Sequence, residues 1–347
     1  MKGLILCAGK GTRLQPFSFS QPKTLLPVAG KAVLQYCVEN LVKSGIKEIG
    51  IVMHPSQEGI PALIGNGQPF GCHVEYIYQT EQKGISHAVK QAEQFIGKDP
   101  FILLLGDNLI GEQLQTLIDS YRKQGSDGAI LLSEVENPQD YGIAEIDGNE
   151  IVGLEEKPQQ PKSNLAVIGA YLFESPIFEA VKAIPPSARG EYEITDAISW
   201  LLEQSYNISY TVTEKLYSDV GTVARWLDAN QAVMRREWGD KSSIGDNVTL
   251  ENCKIIPPVI IGANSVLKNA VIGPYVSTQE RVHVENCQVA SSILLEEASL
   301  KDLSTPIVNS VFGREVRLKG RLKGNATELN FTLGDKSSLN LAGDQDE

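Results

Sequence analysis

Lys2, Lys10, Arg13, Lys23 and Lys31 all precede the first carboxylate of the chain, Glu39. In a protein of net charge −12 this reserves one segment for positive charge, as a small polyanion held at one site would require. The same segment contains Ala8-Gly9-Lys10-Gly11-Thr12-Arg13-Leu14. Its glycines let backbone N–H groups approach phosphate oxygens, and Lys10 and Arg13 supply charge. It is neither a P-loop nor the three-glycine dinucleotide fingerprint, because the spacings differ. The chemistry it indicates is phosphate binding of an unspecified kind.

Further candidates lie downstream. Asp107 follows the apolar run Phe101 to Leu105, at the end of a strand where open α/β sheets place ligands, although an Asp there also serves as a turn or cap residue. Asp219 could simply start the turn at Gly221. Glu156 and Lys157 are adjacent, so in an extended strand they point to opposite faces. Tyr141-Gly142 reads as a turn, and Gln79 stands five residues before Gly84. His87 reads as a helix residue rather than a base catalyst. The five cysteines are scattered without zinc-ligand spacing and read as buried thiols.

The elements that must position these residues follow from apolar periodicity. Gly3 to Leu6 is a strand, Val33 to Ser44 a helix stopped by Gly45, and Glu48 to Met53 a second strand. The cycle recurs with strands at Val74 to Tyr78, Phe101 to Leu105 and Ala129 to Val135, and helices at Ser86 to Ile96 and Glu112 to Gln124. Such alternation predicts a mostly parallel sheet covered on both faces. Beyond Pro138 shorter strands extend it as a mixed sheet, closed by a helix from Val223 to Trp238.

After Asp240 the pattern changes. Ile244, Leu250, Ile256, Ile261, Leu267 and Ile272 recur at spacings of five or six, which predicts a parallel β-helix, with ordinary antiparallel strands as the alternative. Pro257-Pro258 interrupts the repeat, and it frays beyond Gly273. The expected division is 1–240, 241–323 for the β-helix, and a polar tail at 324–347 whose end is mobile. The acidic net charge argues against nucleic-acid and anionic-membrane partners. No long apolar run or secretory pattern is present, so a cytoplasmic location is expected.

Ten residues beyond the glycine loop stands Gln21-Pro22-Lys23-Thr24-Leu25-Leu26-Pro27-Val28. Together the two stretches resemble the N-terminal signature of sugar nucleotidyltransferases. Leu105-Gly106-Asp107-Asn108, Asp140-Tyr141-Gly142, Leu154-Glu155-Glu156-Lys157-Pro158, Arg189-Gly190-Glu191-Tyr192-Glu193-Ile194-Thr195-Asp196 and Asp219-Val220-Gly221-Thr222 follow in the family's order. The resemblance spans residues 1 to about 225 and is strongest to the thymidylyl-transferring branch in its longer form, with a left-handed β-helix. It implies an α/β fold with a Rossmann-like doubly wound mixed sheet, and attack of a sugar 1-phosphate on the α-phosphorus of a nucleoside triphosphate with release of pyrophosphate.

By the same resemblance dTTP and glucose 1-phosphate are the substrates, and dTDP-glucose the product. Arg13, Lys23 and Lys157 are the catalytic cations. Ala8, Gly9, Gly11, Thr12, Arg13, Lys23, Gln79, Gly84 and Asp107 contact the nucleotide. Tyr141, Gly142, Glu156, Lys157, Val167 and Gly169 contact the sugar phosphate. Asp107 and Asp219 hold Mg2+, whose hard oxygen shell two carboxylates can begin. Thr24, Ala8 and Gly84-Ile85-Ser86-His87-Ala88 depart from the commonest family pattern, which leaves UTP or GTP, with other hexose 1-phosphates, as alternatives. A homo-oligomer is expected. A bifunctional acetyltransferase is a further alternative, for which His283 is the one C-terminal histidine.

Overall fold

The computed structural model describes residues 1–321 and 326–341. The expected mobile end, 343–347, lies outside the described residues. The chain forms two compact units, Met1–Lys10 with Val33–Ser218, and Gly11–Ala32 with Asp219–Glu347. The cation-rich segment is thus divided at the glycine loop itself, and Arg13 and Lys23 fold with the C-terminal part of the chain.

The first unit is an α/β layer built on a nine-stranded sheet. Its parallel half centres on Lys2–Leu6, paired with Glu48–Met53 on one side and Phe101–Leu105 on the other, with His73–Tyr78 beyond. Leu165–Phe173 then runs antiparallel to Phe101–Leu105 and to Gly128–Glu134. The sheet is therefore mixed, and the parallel expectation holds for the first half. Phe101, Leu103, Tyr171 and Phe173 are fully buried, and Phe101 stacks on Phe178 at 5.8 Å. Strands buried on both faces need continuous apolar runs, which is why Phe101–Leu105 carries no polar residue. The predicted helix at Ser86 to Ile96 breaks at Ala92 into Ile85–Gln91 and Glu93–Ile96.

In the second unit, the described residues after 240 form three parallel sheets of six, six and four short strands, the walls of a β-helix. Ile244 lies against Ile261, Leu250 against Leu267, and Ile255 against Ile272. Ile255, not Ile256, is thus the stacked residue of the third wall. Corner asparagines adopt positive φ, as at Asn252, Asn269 and Asn286, which Asn tolerates better than other L-residues. Their side chains form a ladder, Asn252 to Asn269 at 2.9 Å and Asn269 to Asn286 at 3.2 Å.

The coils do not end where the repeat frays: Arg317–Gly320 and Ser338–Leu341 continue the second wall. The aliphatic rows persist there, with Leu267 followed by Val284, Leu300, Leu318 and Leu339 along one wall, but the spacing between stacked residues changes. Buried Ser265, Ser292 and Ser310 occupy coil positions, and their hydroxyls accept from Val282 N, Ser310 N and Phe331 N. These hydrogen bonds join coils alongside the aliphatic rows.

Candidate functional site

In the first unit the strand order brings together most of the residues expected at the sugar. Gly142 stands opposite Glu156 in an antiparallel pair, and Ala166 stands opposite Ile143 one strand further on. A Cβ on Gly142 would lie 2.6 Å from Thr195 Cγ2 and 3.0 Å from Glu156 Oε2, so the Glu156 carboxylate rests directly over that glycine. Thr195 Oγ1 donates to Glu156 Oε2 at 3.3 Å, and Arg189 Nη2 approaches Oε1 at 3.4 Å. Burial raises the Glu156 pKa, with Glu193 acting in the same direction and Arg189 and Lys157 opposing.

Lys157 does not follow the alternation expected of a strand. The strand ends at Glu156, and Lys157 turns into the left-handed region at φ 47°, its N–H donating to Tyr141 O at 2.9 Å. An L-residue there is uncommon and is held by its surroundings. Strand alternation therefore does not extend to Lys157, and its charge acts on the Glu156 carboxylate.

Val167 is buried in Leu165–Phe173, and the pairing becomes irregular between Val167 and Tyr171. Gly169, at φ 75°, lies in that irregularity. A Cβ there would strike the Asn108 amide and Leu105. Asn108 Nδ2 donates to Ile168 O at 3.0 Å, so Gly169 is needed first for packing on the turn that carries Asp107. That turn also covers Cys37, whose thiol burial, and secondarily the Asp107 charge, pushes up to about 12.

The expected base loop is fastened at both ends. Gln79 N donates to Met53 O at 2.9 Å, and Gln82 Nε2 donates to Ala8 O. Gly84 has φ 103°, and a Cβ would lie 2.6 Å from Tyr192 O. Tyr192 N donates to Lys83 O at 2.8 Å and Ser86 Oγ to Glu193 O at 2.7 Å. The segment 189–193 is thus a strap that touches the base loop through Tyr192 and reaches Glu156 through Arg189.

In the second unit, Gly11 (φ 65°) opens a 3-10 turn at Thr12–Leu14, and Lys23–Leu25 forms another. Gly9, Thr12 and Arg13 are exposed and Lys23 is half-buried. Short turns hold little of their own geometry, and the loop is secured from outside. Trp226 Nε1 donates to Pro27 O at 2.6 Å and its ring meets Phe17 edge-on at 5.3 Å. Asn230 Oδ1 accepts from Ala29 N at 2.8 Å and from Ser277 Oγ of the β-helix at 2.9 Å. Arg314 Nη2 donates to Gln21 Oε1 at 2.7 Å.

Asp219 belongs to the same unit. Arg225 Nη1 lies 2.8 and 2.7 Å from its two oxygens, and a Cβ on Gly221 would lie 3.3 Å from Arg13 Nη2. Arg13, Asp219 and Arg225 therefore gather around Gly221. Thr222 caps the helix Val223–Glu237 by accepting from Arg225 N at 3.3 Å. No group of three His, Cys, Asp or Glu suited to a metal occurs among the described residues. Two carboxylates with substrate and water oxygens would suit Mg2+, and in this structure both Asp219 oxygens are met by Arg225.

Three residues have no site role in the sequence reading. Arg225 follows the Asp219 motif by one helical turn, so it faces back toward the carboxylate. Arg189 is the one cation among Glu191, Glu193 and Asp196, and that charge context was its signal. His87 lies in the helix Ile85–Gln91, as expected, and also contacts Gln79.

These features define a nucleotidyltransferase. The chain belongs to the nucleotidyl transferase family, whose model matches residues 2–236. It is 36% identical to a glucose-1-phosphate thymidylyltransferase of Streptomyces griseus, over 99% of this chain and 100% of that one. It is 37% identical to the low-salt glycan biosynthesis nucleotidyltransferase Agl11 of Haloferax volcanii, over 98% and 100%. A solved structure from Bacillus anthracis, in complex with a sucrose, is similar with a TM-score of 0.63 at 35% identity, covering 66% of this chain and 94% of that one.

Proposed function

We propose that the enzyme transfers the thymidylyl group of dTTP to glucose 1-phosphate, yielding dTDP-glucose and pyrophosphate. The observation that carries this reading is the Glu156 carboxylate seated over Gly142 beside Lys157: a hydroxyl acceptor next to a cation, as a sugar 1-phosphate demands. The names of full-length relatives support the choice of sugar and base.

A phosphate monoester is already nucleophilic at neutral pH, so no general base is needed. The work is to bring two anions together in line and neutralise them. Lys157 takes the attacking phosphate, with Arg189 as a second cation nearby. Arg13 receives the departing pyrophosphate, and Lys23 the α-phosphate. Gly9, Gly11 and Thr12 offer backbone donors to the triphosphate, beside Ala8. Tyr141, Val167 and Gly169 line the sugar, while Gln79 and Gly84 meet the base. Asp107 and Asp219 are the carboxylates for Mg2+, which when bound supplies charge neutralisation on the phosphates.

The same reading makes the enzyme a cytoplasmic homo-oligomer. No described helix is long and apolar enough to cross a membrane. The test is a panel of the common nucleoside triphosphates against several hexose 1-phosphates, read by pyrophosphate release. The highest kcat/KM is expected for dTTP with glucose 1-phosphate. A preference for UTP or GTP would reassign the base, and no release with any pair would remove the reading.

A further inference from the structure

Gln79 is 3% exposed, at the end of the strand His73–Tyr78, and its amide nitrogen has two polar neighbours. Nε2 lies 3.4 Å from Gly84 O and 2.9 Å from His87 Nδ1. Gly84 O can only accept, so the nitrogen must face it, and the amide orientation follows from chemistry. The part-buried Gln79 contact at 2.9 Å prevails over the exposed one between Gln91 and His87 Nε2 at 3.4 Å, which makes His87 Nδ1 the acceptor and puts the imidazole proton on Nε2. Among the described residues no hydrogen bond is recorded to Gln79 Oε1. The amide thus offers an incoming base an acceptor and no donor, which narrows the one-donor, one-acceptor pairing expected from its residue type.

We propose that His87 is a specificity-positioning residue: its neutral Nδ1 pins the Gln79 amide so that Oε1 selects bases with a ring N–H, thymine or uracil, over cytosine. This deepens the thymidylyl reading above and rests on it. Cytosine presents a lone pair at N3, which would meet the lone pairs of Oε1 and leave a buried polar atom without a partner. A free glutamine would not discriminate in this way, since it could turn its nitrogen toward the base.

The device depends on pH. Protonated His87 carries a hydrogen on Nδ1 and would repel the Gln79 N–H group. Accepting that hydrogen requires the amide to turn, which takes Oε1 from the base. The groups facing the ring are Gln79, Gln91, whose Nε2 lies 3.2 Å from His87 O and 3.4 Å from His87 Nε2 on the exposed edge, the tilted Tyr192 ring at 6.4 Å, the charge and backbone of Glu81, and Lys83 and Lys90. Burial, then Lys83 and Lys90, lower the His87 pKa against the Glu81 charge and a hydrogen bond to the Glu81 backbone, so the imidazole gives up its proton more readily than an ordinary histidine. Weaker thymine binding is therefore expected only as pH falls below the ordinary histidine value.

The test compares wild type with His87→Ala and His87→Asn. Asn keeps an acceptor near the Nδ1 position and does not titrate. For His87→Ala the dTTP KM should rise roughly tenfold, more than kcat falls, and the dTTP-over-dCTP ratio of kcat/KM should drop similarly, the worth of one misdirected hydrogen bond. His87→Asn should restore KM and ratio at pH 7.5 and lack the acid-side rise in dTTP KM seen in wild type. The proposal is overturned if His87→Ala keeps the wild-type ratio, or if wild type and His87→Asn have superimposable KM profiles. Should His87→Ala fail to fold, the pH comparison with His87→Asn decides alone. A wild type that uses no pyrimidine triphosphate would instead remove the parent reading, and this proposal with it.

Discussion

The sugar-side cluster at 141–169 and the cation loop at 11–32 are built in opposite ways. The cluster is held by neighbours in one sheet: Gly142 opposes Glu156, Lys157 bonds to Tyr141, and Ala166 opposes Ile143. The loop has only 3-10 turns and a two-stranded hairpin of its own, and its anchors are Trp226, Asn230 and Arg314, some 200 to 290 residues away in sequence. Damage to the cluster should therefore be felt by one substrate, whereas the loop should respond to changes at positions that touch no ligand.

Trp226→Ala is the most severe way to test this contrast. Removing a fully buried indole that clamps Pro27 and Phe17 should destabilise the second unit by about 3–5 kcal/mol. Thermal melting should show the loss, and pyrophosphate release should fall for every sugar phosphate. A variant that melts like wild type would mean the loop is not held from that helix.

Lys157→Ala comes next. It should weaken catalysis by about 1.5–3 kcal/mol, expressed through glucose 1-phosphate while nucleotide binding persists. Full activity would refute its assignment to the attacking phosphate. Arg314→Ala is smaller: losing the bond to Gln21 should cost about 0.5–1.5 kcal/mol and appear as a raised dTTP KM. An effect confined to the sugar would break the comparison.

The mildest test concerns pH. Glu156 has a folded pKa raised by burial, so its neutral form favours folding at low pH, and that advantage is lost as pH rises through the folded value. Glu156→Gln should therefore melt slightly higher than wild type at pH 7 and like it below the ordinary carboxylate pKa, while binding sugar phosphate less well. Equal melting at pH 7 would show that Thr195 and Arg189 fully compensate the burial.

Much of the first unit was legible because its strands are apolar runs, such as Phe101–Leu105, and its helices carry a 3.6-residue period that local sequence encodes. The antiparallel half was less so, because the direction of a buried strand leaves no mark on its composition. In the β-helix the first coils were visible as aliphatic rows. The later ones were hidden because the spacing between stacked residues changes, from Val284 to Leu300 to Leu318 to Leu339, although the residues stay aliphatic.

For the site, residue types and spacing determined the charge: an acid-free segment with Arg13 and Lys23 is positive wherever it folds. Tertiary structure decided what those types mean. It turned Lys157 out of the strand alternation, set Arg225 on Asp219, and put His87 behind the Gln79 amide. Each of these depends on where a backbone turns or which side chain arrives from another element. Periodicity does not encode such contacts, since it records only which face a residue occupies and not what meets it there.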